Sequence, residues 1–323
     1  MNAIQGHPLA LHDPRFALVD GRTRPEFMLV GGMKCGSTSF ARYLSAHPQV
    51  RLPGPKEPHY WSWHRFPARY QDFFVNETPI TDPGPGQWVS GEFSTSSLIH
   101  PLVPRRVAAN LPGLRIFVLL RNPADRAYSH FMMSKAAGRE KECSFEQIVR
   151  REMQEAPALL AAHERGFLNP AGTAQACYTH PDGTPICVAR HERGFPGRVL
   201  RDDVDLRDFY FQSCVFRSLY HDQLQRWLRL FPRAQMMIIQ SERLFENTAE
   251  TMGEAAAFLG LQPFDFQSAE QLQRGWDAGS GKALEMPQTY SAMSEATRRM
   301  LGDFFAPYNQ QLYELLGEDY GWD

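Results

Sequence analysis

Residues 27–39 read Phe-Met-Leu-Val-Gly-Gly-Met-Lys-Cys-Gly-Ser-Thr-Ser. The apolar start has no polar alternation, which fits a short strand buried on both faces, as in a parallel sheet. Gly31 and Gly32 end that strand, and Ser37 to Ala46 has helical character up to Pro48. A strand, a glycine turn and a helix in succession open an α/β unit. At such a junction the first helical N–H groups have no partner inside the helix, and the helix dipole is positive. That combination binds phosphate. Lys34 adds a point charge, and the hydroxyls of Ser37, Thr38 and Ser39 add donors. A plain glycine turn is the alternative, but it does not account for the lysine and the hydroxyl cluster together.

Residue order narrows the reading. A nucleotide-hydrolysing loop places lysine after its last glycine, in G-x-x-x-x-G-K-[ST]. Here Lys34 precedes Gly36, so a magnesium-dependent NTPase or kinase on a similar fold is the weaker alternative.

Further along, Arg115 to Leu120 and Met236 to Ile239 repeat the buried-strand pattern, and helices are expected from Ala124 to Lys135, Ser144 to Gln154, Tyr220 to Phe231 and Thr248 to Leu259. Ser294 to Leu316 reads as a helical pair broken at Pro307. Residues 52–90, rich in proline and aromatics, read as mostly loop and short helix. The expected fold is α/β: a central parallel sheet with helices on both faces and a P-loop-like strand, loop and helix for phosphate. Residues 1–25 read as an arm and 26–323 as a single domain, with a Gly- and Pro-rich insertion at 165–205. Such an insertion on a rigid scaffold is expected to flank the binding cleft and set its specificity.

Composition removes several classes. The formal net charge of −2 lacks the basic excess of a general nucleic-acid binder. The apolar runs fall short of the roughly 20 residues that span a bilayer. The start MNAIQGHPLALHDPRF has neither a basic region nor an apolar core, so a cytoplasmic location without membrane attachment is expected. Five cysteines do not make a disulfide scaffold. Free thiols are expected, although Cys177 and Cys187 flank a turn-rich stretch that a bridge would fit. The oligomeric state is not readable, and no cluster with metal-ligand spacing stands out, so no metal is expected.

A second signature follows the strand at Arg115 to Leu120: Arg121-Asn-Pro-Ala-Asp-Arg126-Ala-Tyr-Ser129. An arginine at a strand end suits bidentate phosphate binding. The competing reading pairs Arg121 or Arg126 with a surface carboxylate.

With both signatures present, the chain resembles the sulfotransferases that use 3′-phosphoadenosine 5′-phosphosulfate (PAPS) and release adenosine 3′,5′-bisphosphate. The resemblance implies that Lys34, Cys35, Gly36, Ser37, Thr38 and Ser39 hold the 5′ end of the nucleotide. It implies that Arg121 and Ser129 hold the 3′-phosphate. It assigns Ser280, Gly281 and Lys282 to a late loop that closes on the same phosphate, with Trp276 as an adenine contact or a core residue. Later stretches, Tyr220 to Leu228, Phe258-Leu-Gly-Leu and Pro307-Tyr-Asn-Gln-Gln-Leu, look like the family's later helices.

Lys56-Glu57-Pro58-His59-Tyr60-Trp61 is similar to a stretch of the glycan-modifying members, the chondroitin and heparan types. There the glutamate is the general base. In this sequence that role falls to Glu57, with His59 as rival base or orienting partner and Lys34 as the cation at the leaving oxygen. A hydroxyl nucleophile needs such a base, and a surface Lys–Glu pair is the bland alternative. Gly91-Glu92-Phe93-Ser94-Thr95 matches a family segment that often carries lysine where Phe93 stands; Glu92 and Ser94 line the acceptor site or the core. The implied reaction is in-line transfer of a sulfuryl group from PAPS to a hydroxyl of a sugar or glycan. A hydroxylated small metabolite is the alternative acceptor, and a glycan-binding protein without turnover is the non-enzymatic one.

Overall fold

The computed structural model describes residues 25–52, 57–58, 60–61, 89–100, 103–138, 144–164, 213–267 and 292–322. Lys56, His59, the 165–205 insertion with Cys177 and Cys187, and the loop carrying Trp276, Ser280, Gly281 and Lys282 lie outside these residues.

Five strands form one sheet: β1 (Phe27–Gly31), β2 (Val50–Arg51), β3 (Val89–Phe93), β4 (Arg115–Leu120) and β5 (Met236–Gln240). Their order is β2-β3-β1-β4-β5, and all neighbours run parallel. Among the described residues the helices are α1 (Ser37–Ser45), α2 (Val103–Asn110), α3 (Pro123–Ala136), α4 (Phe145–Glu164), α5 (Tyr220–Leu228), α6 (Ser241–Glu246), α7 (Thr248–Phe258) and α8 (Glu295–Leu316).

Side chains alternate across a strand, so β1 feeds two cores. Phe27 and Leu29 join Phe117, Leu119 and Ile239 under α1 and α7, with Phe40, Leu44, Met252 and Ala255. Met28 and Val30 join Ile116, Val118 and Leu120 under α2, α5 and the end of α8, with Val107, Leu224, Trp227 and Leu312. The continuous apolar runs of β1 and β4 follow from this two-sided burial. A further cluster joins α3 and α4 to the start of α8 through Phe131, Phe145, Val149 and Leu301.

Two expectations are corrected. The 52–90 segment ends in a strand, not in loop: Val89–Phe93 is wholly buried between β2 and β1. Its sequence, Val-Ser-Gly-Glu-Phe, is too polar to announce a buried strand. Gly91 is required there, because a Cβ would stand 2.4 Å from the ring of Phe27, its partner in the adjacent strand. At the C-terminus, Glu295–Leu316 is one helix with Pro307 inside it. Proline costs an intrahelical bond to the residue four earlier. That residue, Asp303, is exposed like Pro307 itself, so water can serve its carbonyl.

The strand order places the reversal of chain direction between β1 and β4. Beyond β1 the chain moves toward β2 and β3; beyond β4 it moves toward β5. Ligands of open α/β sheets bind in the crevice outside the strand C-termini at such a point.

Candidate active site

The loop leaving β1 is anchored by main-chain bonds. The Gly32 amide donates to the Leu119 carbonyl of β4 at 2.6 Å, and the Ser241 hydroxyl donates to the Cys35 carbonyl at 2.7 Å. Lys34 has φ 69°, a conformation costly for a residue with a Cβ. Such a geometry persists where the surrounding structure imposes it, commonly at functional loops. Gly36 follows at φ 88° as the N-cap of α1. Having no side chain, it cannot cap the first turn of this positive helix end itself. A Cβ at Gly36 would also meet the ring of Phe245 at 2.9 Å.

Cys35 lies in this loop with its thiol turned inward. It is fully buried, donates to the Met33 carbonyl at 3.8 Å and pairs with the Tyr220 hydroxyl at 3.8 Å. Burial pushes the thiol up to about 11, against the pull of Arg126. On this loop Cys35 therefore presents its main chain rather than its thiol.

The arginines of the second signature reach back to the first loop. Arg121 Nη1 donates to the Lys34 carbonyl at 3.5 Å, and Arg126 Nη1 donates to the Met33 carbonyl at 3.4 Å. Arg126 is fully buried; its Nε donates to Ser218 Oγ at 2.6 Å and its other terminal nitrogen to the Cys214 carbonyl. The surface-carboxylate reading is thereby excluded for Arg126. Asn122 caps α3 through bonds to the amides of Ala124 and Asp125, and its own amide donates to Glu242 at 2.9 Å. Tyr220 donates its hydroxyl to the Arg121 carbonyl at 2.9 Å. Half-buried Ser129 sits on α3, two turns beyond the sheet end that carries Arg121.

Glu57 is half-buried and accepts a hydrogen bond from Thr95 Oγ1 at Oε2, 2.9 Å away. Thr95 belongs to the turn leaving β3, which is pinned to β1 by the Ser94 amide on Leu29 and the Leu98 amide on Val30. Glu57 is therefore held at the C-terminal end of β3, beside the strand that delivers the Lys34 loop. Glu92 and Ser94 are fully buried, in keeping with their structural reading.

Sequence reasoning did not single out Thr95 or Arg217 as site residues. Arg217 is 4% exposed, in the single helical turn Phe216–Ser218, and its Nη1 donates to the Thr95 carbonyl at 3.3 Å. A lone arginine between Phe216 and Ser218 carries no local signal of burial.

A family model described as "Sulfotransferase domain" matches residues 24–299. The bifunctional heparan sulfate N-deacetylase/N-sulfotransferase 2 of Bos taurus is 27% identical over 90% of this chain and 29% of its own length. The chain thus spans under a third of that relative. The heparan sulfate glucosamine 3-O-sulfotransferase 6 of Mus musculus is 26% identical over 94% of this chain and 75% of its own. Among solved structures, a sulfotransferase from Alicyclobacillus acidocaldarius superimposes with a TM-score of 0.60 at 25% identity, covering 93% of this chain and 99% of that one.

Proposed function

The chain belongs to the sulfotransferase domain family, and from that premise we propose that it moves the sulfuryl group of PAPS to a hydroxyl of a sugar or glycan by in-line transfer, with Glu57 as general base. The observation that carries this reading is the 2.9 Å bond from Thr95 to Glu57. It sets a carboxylate at the same sheet end as a helix start whose N-cap is glycine, Lys34 and Arg121.

The residues fit a nucleotide with two separate phosphate groups. Lys34, the first-turn amides of α1 and the hydroxyls of Ser37, Thr38 and Ser39 suit the 5′ end. Arg121 and Ser129 suit the 3′-phosphate. PAPS, when bound, supplies the sulfuryl group. The protein's own work is positional and electrostatic: Lys34 and the amides stabilise negative charge at the 5′ end, and Glu57 takes the proton of the attacking hydroxyl. The sugar acceptor is supported by the names of the relatives that act on heparan sulfate. The kinase reading gives way to the family assignment.

The test is transfer of ³⁵S label from PAPS to heparan sulfate chains, chondroitin chains and a panel of hydroxylated small molecules. Label on a sugar hydroxyl is expected. Label confined to small molecules replaces the acceptor class, label on a glucosamine nitrogen replaces O-transfer by N-transfer, and no label anywhere overturns the activity.

A further inference from the structure

Arg217 has no part in the reading above, yet it is among the most expensive side chains in the protein. A buried cation costs several kcal/mol unless charge and hydrogen bonds offset it. Its segment is fixed from α4, where the Glu152 carboxylate accepts from the amides of Cys214 at 3.1 Å and Val215 at 2.6 Å. From α5, the Gln223 side chain donates to the Phe216 carbonyl at 2.9 Å. The guanidinium thereby reaches the turn after β3. There its Nη1 donates to the Thr95 carbonyl, and the hydroxyl of the same Thr95 donates to Glu57.

The ionisable groups that face Arg217 come from several elements. Among the described residues they include Arg126 on α3, Glu57, Cys214 on its own segment and Cys35 in the β1 loop. Burial is the main reason its pKa falls, to about 9, and Arg126 adds to the fall; Glu57 opposes it. Glu57 is the carboxylate of that set, so the ionised Glu57 and the protonated Arg217 favour each other.

We propose that Arg217 is a positioning residue for Glu57: acting through Thr95 and through its own charge, it fixes the carboxylate at the end of β3 and keeps it ionised. The proposal rests on the reading of Glu57 as the base. A carboxylate that faces a cation and accepts a hydrogen bond resists protonation, which a proton acceptor requires. The arrangement also explains why a second arginine is buried close to Arg126 despite their mutual repulsion.

The experiment is a ¹³C NMR titration of the glutamate carboxyls in the full chain, with Glu57→Gln identifying the Glu57 signal. In Thr95→Val, a near-isosteric change that removes the donor, and in Arg217→Met, the Glu57 signal is expected to titrate about one pH unit or more higher than in the parent. Arg217→Lys, which keeps the charge, restores most of the difference. A purely structural Arg217 would lower stability and leave that titration unmoved. An unmoved titration in Arg217→Met overturns the proposal, whatever Thr95→Val shows. The base reading is tested separately by ³⁵S transfer from PAPS to heparan sulfate. An active Glu57→Gln removes the base and this proposal together. An inactive Glu57→Gln with an unmoved titration removes this proposal alone.

Discussion

Arg126 Nη1 donates to the carbonyl of Met33 across 3.4 Å, although the two residues stand 93 positions apart. The same guanidinium holds Ser218 and the Cys214 carbonyl, and Ser218 in turn donates to the Pro123 carbonyl at 3.0 Å. One buried side chain thus ties the loop after β1 to the start of α3 and to the segment that carries Arg217.

Arg126→Met should therefore cost stability first. The change removes a charged donor from the Met33 and Cys214 carbonyls and the Ser218 hydroxyl, which keep their contacts with the Cys35 thiol, the Ser218 hydroxyl and the Pro123 carbonyl. At about 1.5–3 kcal/mol per hydrogen bond to a charged group, the loss should reach about 3 kcal/mol or more. Urea unfolding measures it directly. A loss confined to a few tenths would mean that water replaces the arginine and that the tie is incidental.

Arg121 reaches the same loop, but it is only half-buried and stands at the end of β4. Calorimetry should show adenosine 3′,5′-bisphosphate binding more tightly than AMP. Arg121→Ala should abolish most of that preference, by roughly tenfold or more for a lost charge-assisted bond. Equal binding of the two nucleotides by the parent protein would remove the 3′-phosphate role from Arg121 and Ser129.

The sequence announced β1 and β4 because strands buried on both faces leave unbroken apolar runs, and β5 by its run Met236–Ile239, although that edge strand is half-buried at three of its five positions. It did not announce β3, whose Ser90, Gly91 and Glu92 are buried yet polar or small. It placed Lys34, Gly36 and Arg121 together by motif. The Thr95–Glu57 contact spans 38 positions and the Arg217–Thr95 contact 122. Contacts at that separation leave no periodicity, because they arise only after strand order has brought the turns together. Proline at 307 misled for a related reason: its cost depends on which face of the helix meets water, and local sequence states that weakly.

Gly36 answers to two constraints at once, φ 88° and the ring of Phe245. Gly36→Ala should lower stability by about 1–2 kcal/mol from backbone conformation alone and weaken nucleotide binding. Adding Phe245→Ala relieves the clash and leaves the backbone cost. The double variant should therefore recover part of the loss in thermal unfolding. Full recovery would show that the clash alone mattered.

Cys35 sets a pH dependence. Burial raises its pKa from 9.0 to about 11, so the folded protein favours the protonated thiol. That contribution is complete below pH 9.0 and is lost as the pH rises through about 11. Cys35→Ala has no such group to lose. The urea midpoint of the parent should fall toward that of Cys35→Ala across this window. A constant gap between the two proteins would place the thiol in a more polar setting than its contacts with Met33 and Tyr220 imply.

Glu57→Gln separates chemistry from binding. Glutamine keeps an oxygen for the Thr95 hydroxyl, so the local geometry survives while the proton acceptor is lost. The nucleotide contacts assigned to Lys34, Arg121 and the start of α1 do not pass through this side chain. Turnover should drop by about 10²–10⁴-fold, the usual range for general-base catalysis, while calorimetry shows adenosine 3′,5′-bisphosphate binding unchanged. Loss of both turnover and binding would make Glu57 part of the nucleotide site. Near-normal turnover would pass the role to His59, two residues along the same stretch.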